Sequence, residues 1–418
     1  MKQISSDFAP PLKLISPFFR FGVIFYTLAM IALLFFTPHF HYAQMDIAGW
    51  VHLFMLGFVM MVIFGAMAQL VPVVLETGHA VVDVYYIIMP LLVTGTVVMV
   101  AGFWVTPALL PYGGLLVLVA MIIFAVENFA TLKKSTLKSL TVDTVKWSNS
   151  YLLLGILTGF AIALGLAGEL GVNIDLMLKA HVYAVLGGYV VLTIMGLSLI
   201  LIPMFSLAHG FDETAIRWAF KMVISGVAIV FLAALSGLEV GMYIGYFVTI
   251  VGVLFYLWQI YIIARLTVRK ELDIWAKSML FAYASLIISI VLGIVYFLMD
   301  QETILHASVW FLLMGFVASM ITGHLYKIVP FLVWFERFAP LVGKQKVPML
   351  HEMYSKEGAS MFFWFTAAGV VLAGIGLLFE NGLFFKAGGS FLVAGAIFLV
   401  MTMEKMLAYG SEKLEIRN

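Results

Sequence analysis

The sequence predicts an all-α integral membrane protein of about twelve transmembrane helices, forming a single polytopic domain over residues 1–418. Of the 418 residues, 64% are hydrophobic and only 11% are charged, whereas about a quarter of the residues in soluble domains are charged. The apolar residues also fall into runs long enough to cross a bilayer, for which about 20 residues are needed. These two observations exclude a soluble domain.

Twelve apolar runs, separated by short polar connections, define the predicted helices in order. The first run follows basic residues and has the layout of a signal peptide, but no small-residue cleavage site follows it, so we predict a retained helix. The connections are too short to form separate domains. The predicted spans are 21–37, 48–74, 85–106, 111–132, 147–168, 178–207, 217–237, 240–266, 277–299, 304–335, 358–380 and 382–409.

The basic residues predict how these helices are oriented. If the connections alternate between the two sides of the membrane, all of the 23 Lys and Arg residues except Lys179 and Lys386 fall on one side. Cytoplasmic connections are enriched in Lys and Arg, so both termini are predicted to be cytoplasmic, in a bacterial inner membrane. The split also supports the helix count, because one missed helix would mix the two sides.

Net charge and cysteine content narrow the classes of function. With a formal net charge of +1, the chain has no global basic field that would attract nucleic acid. The absence of cysteine excludes disulfides, thiolate metal sites and cysteine nucleophiles. Metal ligands would have to be His, Met, Tyr or carboxylate side chains.

Predicted helices 2, 6 and 10 share one spacing of glycine and proline. Each contains a glycine, a second glycine eight residues later and a proline seven residues after that. With 36 glycines and 12 prolines in the chain, chance predicts less than one such match. The three copies are Gly57, Gly65 and Pro72; Gly188, Gly196 and Pro203; and Gly315, Gly323 and Pro330.

Because the copies lie four helices apart, the repeat predicts three four-helix arcs around a pseudo-three-fold axis. Glycines eight residues apart lie on one side of an ideal helix, where they let a neighbouring helix or a flat ligand approach closely. The proline kinks or ends each helix near its cytoplasmic side. Two interpretations of Gly57 and Gly315 stay open: a surface for helix packing and part of a cofactor-binding surface.

Three histidines, His52, His181 and His306, lie near the start of the same three helices, toward the periplasmic side. An imidazole inside a span is costly unless it is paired or ligated, which makes each a candidate metal ligand. They precede the repeat proline by 20, 22 and 24 residues, so on ideal helices His52 and His306 share a face. We expect these two to converge on one ligand and His181 to serve a second metal position. A buried imidazole bonded to a carbonyl is the alternative for each.

Other polar residues are weaker candidates. His324 could bind an anion together with Lys327, or lie at a solvated helix end. Glu127, inside helix 4, is predicted either to pass protons or to be a hydrogen-bonded packing residue. The remaining histidines lie in connections and are predicted to be ordinary loop residues: His39, His41, His79, His209 and His351.

The helix count, the repeat and the periplasmic histidines on helices 2, 6 and 10 together resemble subunit I of the haem-copper oxidase superfamily. The closest likeness is in helix 10, where that family has two histidines shortly before the same glycine and proline spacing and this chain has His306. Those two histidines would fall near Ala307 and Val309, helix 7 has no histidine pair for copper, and helix 8 has no internal lysine. The chain is therefore more similar to a divergent, NnrS-type branch without the complete binuclear centre.

This resemblance implies one or two b-type haems, allows copper as well, and implies a role in respiratory electron transfer or in the response to nitric oxide. It would make His52 and His306 axial haem ligands, with Gly57 and Gly315 beside the cofactor and His181 at a further metal position. A cytochrome or quinol would donate electrons, and an enzyme of this kind would be an oxidoreductase. Composition alone predicts the alternative, a twelve-helix secondary transporter for a small molecule or metal ion, without haem.

Overall fold

The structure, a computed structural model, describes residues 10–41, 43–269 and 271–411. These residues contain twelve helices that are long and apolar enough to cross a membrane, and no β-strand. The predicted number of spans is confirmed, which indicates a multi-pass membrane protein. The helices are α1 Leu12–Leu33, α2 Met45–Leu75, α3 Val82–Trp104, α4 Pro107–Lys134, α5 Leu140–Leu166, α6 Ile174–Ser206, α7 Thr214–Ser236, α8 Glu239–Arg265, α9 Ile274–Met299, α10 Glu302–Arg337, α11 Lys356–Leu378 and α12 Gly382–Ala408.

Several helices begin at a side chain that accepts hydrogen bonds from the first turn. Such caps satisfy backbone N–H groups that have no partner within the helix. In the apolar surroundings of a span, an unsatisfied backbone group would be especially costly. The capping residues are Ser139 for α5, Asn173 for α6, Asp273 for α9, Ser355 for α11 and Asn381 for α12.

The described residues form two compact units. One lies within Met67–Lys270 and contains α3–α8 with the C-terminal end of α2. The other lies within Pro11–Ala66 and Glu271–Asn418 and contains α1, most of α2 and α9–α12. Within this second unit, α1 packs against both α2 and α12. The single domain and the arrangement of three arcs around an axis stay predictions.

The three helices that contain the sequence repeat are the most buried ones. The most apolar window of α2 is 89% buried, that of α10 is 83% buried and that of α6 is 61% buried. The same measure lies between 22% and 56% for the other nine described spans. The repeat therefore marks the three helices whose apolar windows are the most buried among the described spans.

Each repeated helix changes from α-helical to π-helical geometry around its first glycine. The π-helical segments are Met55–Met60, Tyr183–Val191 and Phe311–Val317, and they include Gly57, Gly188 and Gly315. A π-helical turn is wider than an α-helical one, and it rotates the residues on one side of it relative to those on the other. The ideal helical geometry from which His52 was grouped with His306 and separated from His181 is therefore not the geometry of these helices, and the grouping stays a prediction. This is because each π-helical segment lies between the histidine and the proline of its helix, and the three segments differ in length, with 6, 9 and 7 residues.

The repeated glycines pack against the helix that precedes each repeated helix. A Cβ atom added to the first glycine of each copy would overlap a side chain of that helix, and the same holds for the second glycine. The neighbouring side chains are in every copy seven residues apart, about two helical turns. The pairs are Gly57 with Phe25 and Gly65 with Phe18, Gly188 with Tyr151 and Gly196 with Thr144, and Gly315 with Ser285 and Gly323 with Ser278.

Glycines also join the other two helices of each predicted group of four. The pairs α3–α4, α7–α8 and α11–α12 are in close contact, and a Cβ atom at their glycines would meet the backbone of the partner helix. Such close approach needs residues without side chains. These glycines include Gly95, Gly102 and Gly113; Gly226, Gly245 and Gly252; and Gly369, Gly376 and Gly388. The packing within helix pairs thus recurs three times along the chain.

Candidate functional site

His306 is the candidate ligand whose surroundings differ most from those of an ordinary buried histidine. It lies on α10, in the α-helical turns that precede the π-helical segment, and it is only 8% exposed. Its Nε2 atom is buried and has no hydrogen-bond partner among the described residues. A buried polar atom without a partner costs about 1–3 kcal/mol. This nitrogen is therefore an available lone pair or N–H group that no described residue engages.

Residues of the connection between α1 and α2 surround this histidine. The ring of Phe40 lies against the imidazole of His306, with 4.4 Å between the ring centroids. On either side of Phe40, His39 pairs with Glu380 at 3.3 Å and His41 pairs with Glu302 at 3.2 Å. About half of each of these four side chains is exposed, as the prediction of loop residues for His39 and His41 requires. Two exposed ion pairs thus flank the aromatic ring that covers His306.

His52 lies near the start of α2 in the same unit as His306. Its Nδ1 lies 2.7 Å from the carbonyl oxygen of Ala48, one turn earlier. Because a carbonyl only accepts hydrogen bonds, Nδ1 donates and Nε2 is the basic nitrogen of a neutral ring. Histidines that ligate metals usually donate their other N–H group to a carbonyl in this way. The hydrogen bond fixes the orientation of the His52 ring, and it fits both a metal ligand and the alternative, an imidazole bonded to a carbonyl.

Two tryptophans bring the helices of His52 and His306 together within this unit. The rings of Trp50 on α2 and Trp310 on α10 are stacked, with 6.0 Å between their centroids. The indole of Trp50 donates to the carbonyl of Ala29 on α1. Trp310 likewise donates to a carbonyl of α11, at Val370. The tryptophans hold α2 and α10 in contact near the level of the histidines.

His181, the third candidate, lies in the other unit and is bonded to a neighbouring helix. Its Nδ1 lies 2.7 Å from the carbonyl oxygen of Gly155 on α5. A Cβ atom at Gly159, one turn further along α5, would overlap the imidazole ring. The ring thus lies in the interface between α5 and α6. The bond to a carbonyl matches the alternative interpretation, and the residue is half-buried.

Gly57 and Gly315, the two glycines expected beside the cofactor, face helices of the protein. The position of a Cβ atom at Gly57 is occupied by the ring of Phe25, and that at Gly315 by the side chain of Ser285. Both contacts lie within one unit. Helix packing is therefore sufficient to explain these two glycines.

His324, further along α10, has partners for its ring. Its Nδ1 donates to the carbonyl of Met320 at 2.8 Å, and its Nε2 accepts from the indole of Trp275 at 3.4 Å. The ammonium group of Lys327, proposed from sequence to bind an anion with His324, instead pairs with Asp273 at 2.7 Å. His324 is thus a histidine of the same helix that differs from His306 in having both ring nitrogens engaged.

A second polar site, which the sequence did not reveal, joins His79 to Glu127 in the unit within Met67–Lys270. The prediction that His79 is an ordinary loop residue is wrong, because its side chain is 3% exposed and that of Glu127 is 2% exposed. Nδ1 of His79 lies 2.9 Å from Oε1 of Glu127. Nε2 lies 2.6 Å from the carbonyl oxygen of Ala68 on α2. His79 therefore connects the C-terminal part of α2 to the buried carboxylate of Glu127 on α4.

The repeat proline explains why His79 folds back onto α2. Proline has no backbone N–H group, so Pro72 cannot donate to the carbonyl of Ala68 four residues earlier. α2 ends at Leu75, and Glu76 adopts a left-handed conformation with a φ of 48°. This turn reverses the chain, and Nε2 of His79 donates to the carbonyl that Pro72 leaves open. A proline that frees a carbonyl, followed closely by a histidine, is the signal that could have identified His79.

Hydrogen bonds from the end of α4 hold the same connection in place. The backbone N–H group of Ala80 donates to Thr131 at 2.9 Å and to Oε1 of Glu127 at 3.1 Å. Lys134 donates to the carbonyl of His79. One turn from Glu127, the hydroxyl of Thr131 also donates to Oε1, at 2.7 Å. Glu127 is therefore a hydrogen-bonded residue, one of its two predicted roles.

No three His, Asp or Glu side chains in the described part of the chain are close enough to hold a metal ion by themselves. A metal bound through one or two histidines of α2 and α10 would need further ligands, such as those of a porphyrin. No family of known proteins matches the sequence, and no curated protein matches it. The likeness to the haem-copper oxidase superfamily therefore rests on the repeat and the histidines alone.

Proposed function

We propose that this chain is a haem-binding integral membrane protein in which His306 and His52 would hold the haem iron. The proposal rests chiefly on the buried Nε2 atom of His306, which no described residue hydrogen-bonds. Coordination to iron is one way to satisfy such a nitrogen, and two imidazoles are a common ligand pair for haem. His52, on the adjoining helix α2, supplies the second imidazole.

The donor atoms near His306 fit a haem better than a free metal ion. A porphyrin supplies four ligands, so two histidines complete the coordination of the iron. The hydrogen bond from His52 to Ala48 would fix the orientation of that ligand. Because the chain has no cysteine, it cannot attach haem through thioether bonds, which favours a non-covalent b-type haem. When bound, haem would supply one-electron redox chemistry between ferric and ferrous iron.

The proposed role is electron transfer in a respiratory chain or in the response to nitric oxide, in the inner membrane of a bacterium. A cytochrome or a quinol would donate the electrons. Copper at His181 stays a further proposal, and the hydrogen bond between His181 and Gly155 would have to break before Nδ1 could ligate a metal. His181 could still use Nε2, the other nitrogen of its ring.

An optical spectrum of the purified protein tests the haem proposal. Protein produced with a full supply of haem should have a Soret band that shifts on reduction with dithionite. The variants His52→Ala and His306→Ala should lose most of this band, because each removes one axial ligand. The matched control is His324→Ala, which removes a histidine of the same helix and should keep the band. A colourless wild-type protein would refute the proposal.

A secondary transporter without haem is the second candidate function. The buried pair of His79 and Glu127 favours it, since buried ionisable groups of membrane proteins often form the proton relays of pumps and transporters. Reconstitution into proteoliposomes separates the two functions. Uptake of a solute that persists in a His52→Ala/His306→Ala double variant would favour transport. Loss of a haem spectrum in that variant, without any uptake by the wild type, would favour haem binding.

A further inference from the structure

We propose that His79 and Glu127 form a proton-binding site, which takes up a proton from the cytoplasmic side at Oε2 of Glu127. The site lies entirely within the unit of Met67–Lys270. It uses none of the residues assigned to haem. A test of proton binding at this site therefore does not depend on whether the protein binds haem.

The hydrogen bonds of His79 determine how many protons the pair holds. The carbonyl of Ala68 can only accept, so Nε2 of His79 donates to it and carries a hydrogen. Nδ1 and Oε1 of Glu127, 2.9 Å apart, must then share one more proton. Oε1 also accepts from Thr131 and from the backbone of Ala80, which is typical of an ionised carboxylate. The shared proton therefore belongs to Nδ1, giving an imidazolium and carboxylate pair with no net charge.

The two oxygens of this carboxylate differ sharply. Oε1 accepts from His79, Thr131 and Ala80. Oε2 is equally buried and accepts no hydrogen bond from any residue in the described ranges. A buried, ionised oxygen without a donor is costly. A proton bound to Oε2 would remove that cost, so Oε2 is the position where an incoming proton is accepted.

The charges around the pair favour a proton over a metal cation as the ligand. A cation on Oε2 would lie beside the imidazolium of His79, which is already bonded to the same carboxylate. Two further titratable side chains lie against His79, those of Tyr85 and Lys134. The ring of Tyr85 on α3 lies edge-on to His79, and the ammonium group of Lys134 binds the carbonyl of His79. Neither supplies a carboxylate that would help to hold a metal.

The buried pair lies close to an exposed residue of the protein surface, Lys134. Lys134 is exposed, and it contacts the backbone of the residue whose side chain forms the pair. The connection that contains His79 lies on the side predicted to be cytoplasmic. On uptake, one O–H bond forms at Oε2 and one O–H bond of a hydronium ion breaks in the cytoplasmic water. The pair then changes from no net charge to a charge of +1.

The alternative role is a fixed clasp that holds the connection between α2 and α3 against α4 and never changes protonation. Infrared difference spectroscopy separates these roles, because a protonated carboxyl group has a C=O stretching band that a carboxylate lacks. Spectra of the full-length protein in nanodiscs would be recorded at neutral and acidic pH, in H₂O and D₂O. The variants are His79→Gln/Glu127→Gln, in which both buried charges are replaced together, and Glu169→Gln as an exposed control of the same unit.

The proposal predicts that acidification of the wild type produces the band of a weakly hydrogen-bonded, buried carboxyl group. The band should shift in D₂O, be absent from the double variant and persist in Glu169→Gln. In the single variant His79→Gln, the same band should already be present at neutral pH, because the carboxylate has lost its cation. Absence of the band from the acidified wild type, or its persistence in the double variant, would overturn the proposal. Both of these results can be obtained even if His79→Gln does not fold.

Discussion

His79 and His306 are both buried histidines near the ends of repeated helices, but they differ in whether their ring nitrogens have hydrogen-bond partners. Both nitrogens of His79 are engaged by other residues of the chain, at Ala68 and Glu127. Nε2 of His306 has no such partner in the part of the chain that the structure describes. Burial alone therefore does not identify a ligand site. A nitrogen that the protein itself leaves unsatisfied is the more informative observation.

Breaking the pair of His79 and Glu127 should have the largest effect on stability. Removing one member of a buried ion pair typically costs about 3–5 kcal/mol, because the remaining group must either stay charged without a partner or bind a proton. The variant His79→Gln should therefore lower the free energy of unfolding by about this amount, measured by denaturant titration in detergent micelles. His209→Gln, at an exposed position of the same unit, should leave it unchanged.

The double variant His79→Gln/Glu127→Gln sharpens this prediction. It removes both charges and keeps side chains that can form hydrogen bonds, so it should recover most of the stability that His79→Gln loses. If the double variant is as unstable as the sum of the two single variants, the side chains do not form a coupled ion pair.

Substitution of a repeated glycine should have the next largest effect on stability, because a side chain of the neighbouring helix occupies the position of the added Cβ atom. The Cβ atom of Gly188→Ala would overlap the ring of Tyr151 on α5. Overpacking of this kind costs about 1–3 kcal/mol, and thermal unfolding in detergent would measure it. The matched control is Gly171→Ala, because a Cβ atom at Gly171 would meet no atom within 4 Å. Equal stability of the two variants would contradict the packing role of the repeat.

Replacing His306 should have the smallest effect on stability, and in the opposite direction. In protein prepared without haem, His306→Leu removes a buried nitrogen that has no partner, so the free energy of unfolding should stay constant or rise by about 1 kcal/mol. His181→Leu is the contrasting variant, since it removes the hydrogen bond that the imidazole donates to the carbonyl of Gly155 and should be destabilising. A loss of stability in His306→Leu equal to that in His181→Leu would remove the distinction between the two histidines.

Much of the fold could be predicted from the sequence because the signals are local or periodic. Apolar runs determine the number of spans, and all twelve are present. The spacing of glycine and proline identified the three most buried helices, because close packing at regular intervals requires small residues. The α1 boundary was less accurate: the helix begins at Leu12, well before the apolar run, because its N-terminal turn is also held by tertiary contacts such as that from Leu12 to Glu336.

The sites could be predicted only in part, because they depend on contacts between distant residues. The sequence singled out His52 and His306 from their predicted depth in the membrane, and their role as ligands stays a prediction. It could not show which ring nitrogen lacks a partner, since that depends on Phe40 and on the helices around α10. It placed His181 by ideal helical angles, and the π-helical segments invalidate those angles. It missed His79, whose role depends on the carbonyl that Pro72 leaves open and on a carboxylate 48 residues further along the chain.

Haem titration of the purified apo-protein tests the central claim, that the unsatisfied nitrogen of His306 is a ligand position. Haem would be added to the wild type, to His306→Leu and to His324→Gln, and binding followed by absorbance in the Soret region. If His306 is a ligand, the wild type and His324→Gln should bind haem saturably with a shifted Soret band, and His306→Leu should show no such shift. Equal binding by wild type and His306→Leu, or no binding by the wild type, would contradict this claim.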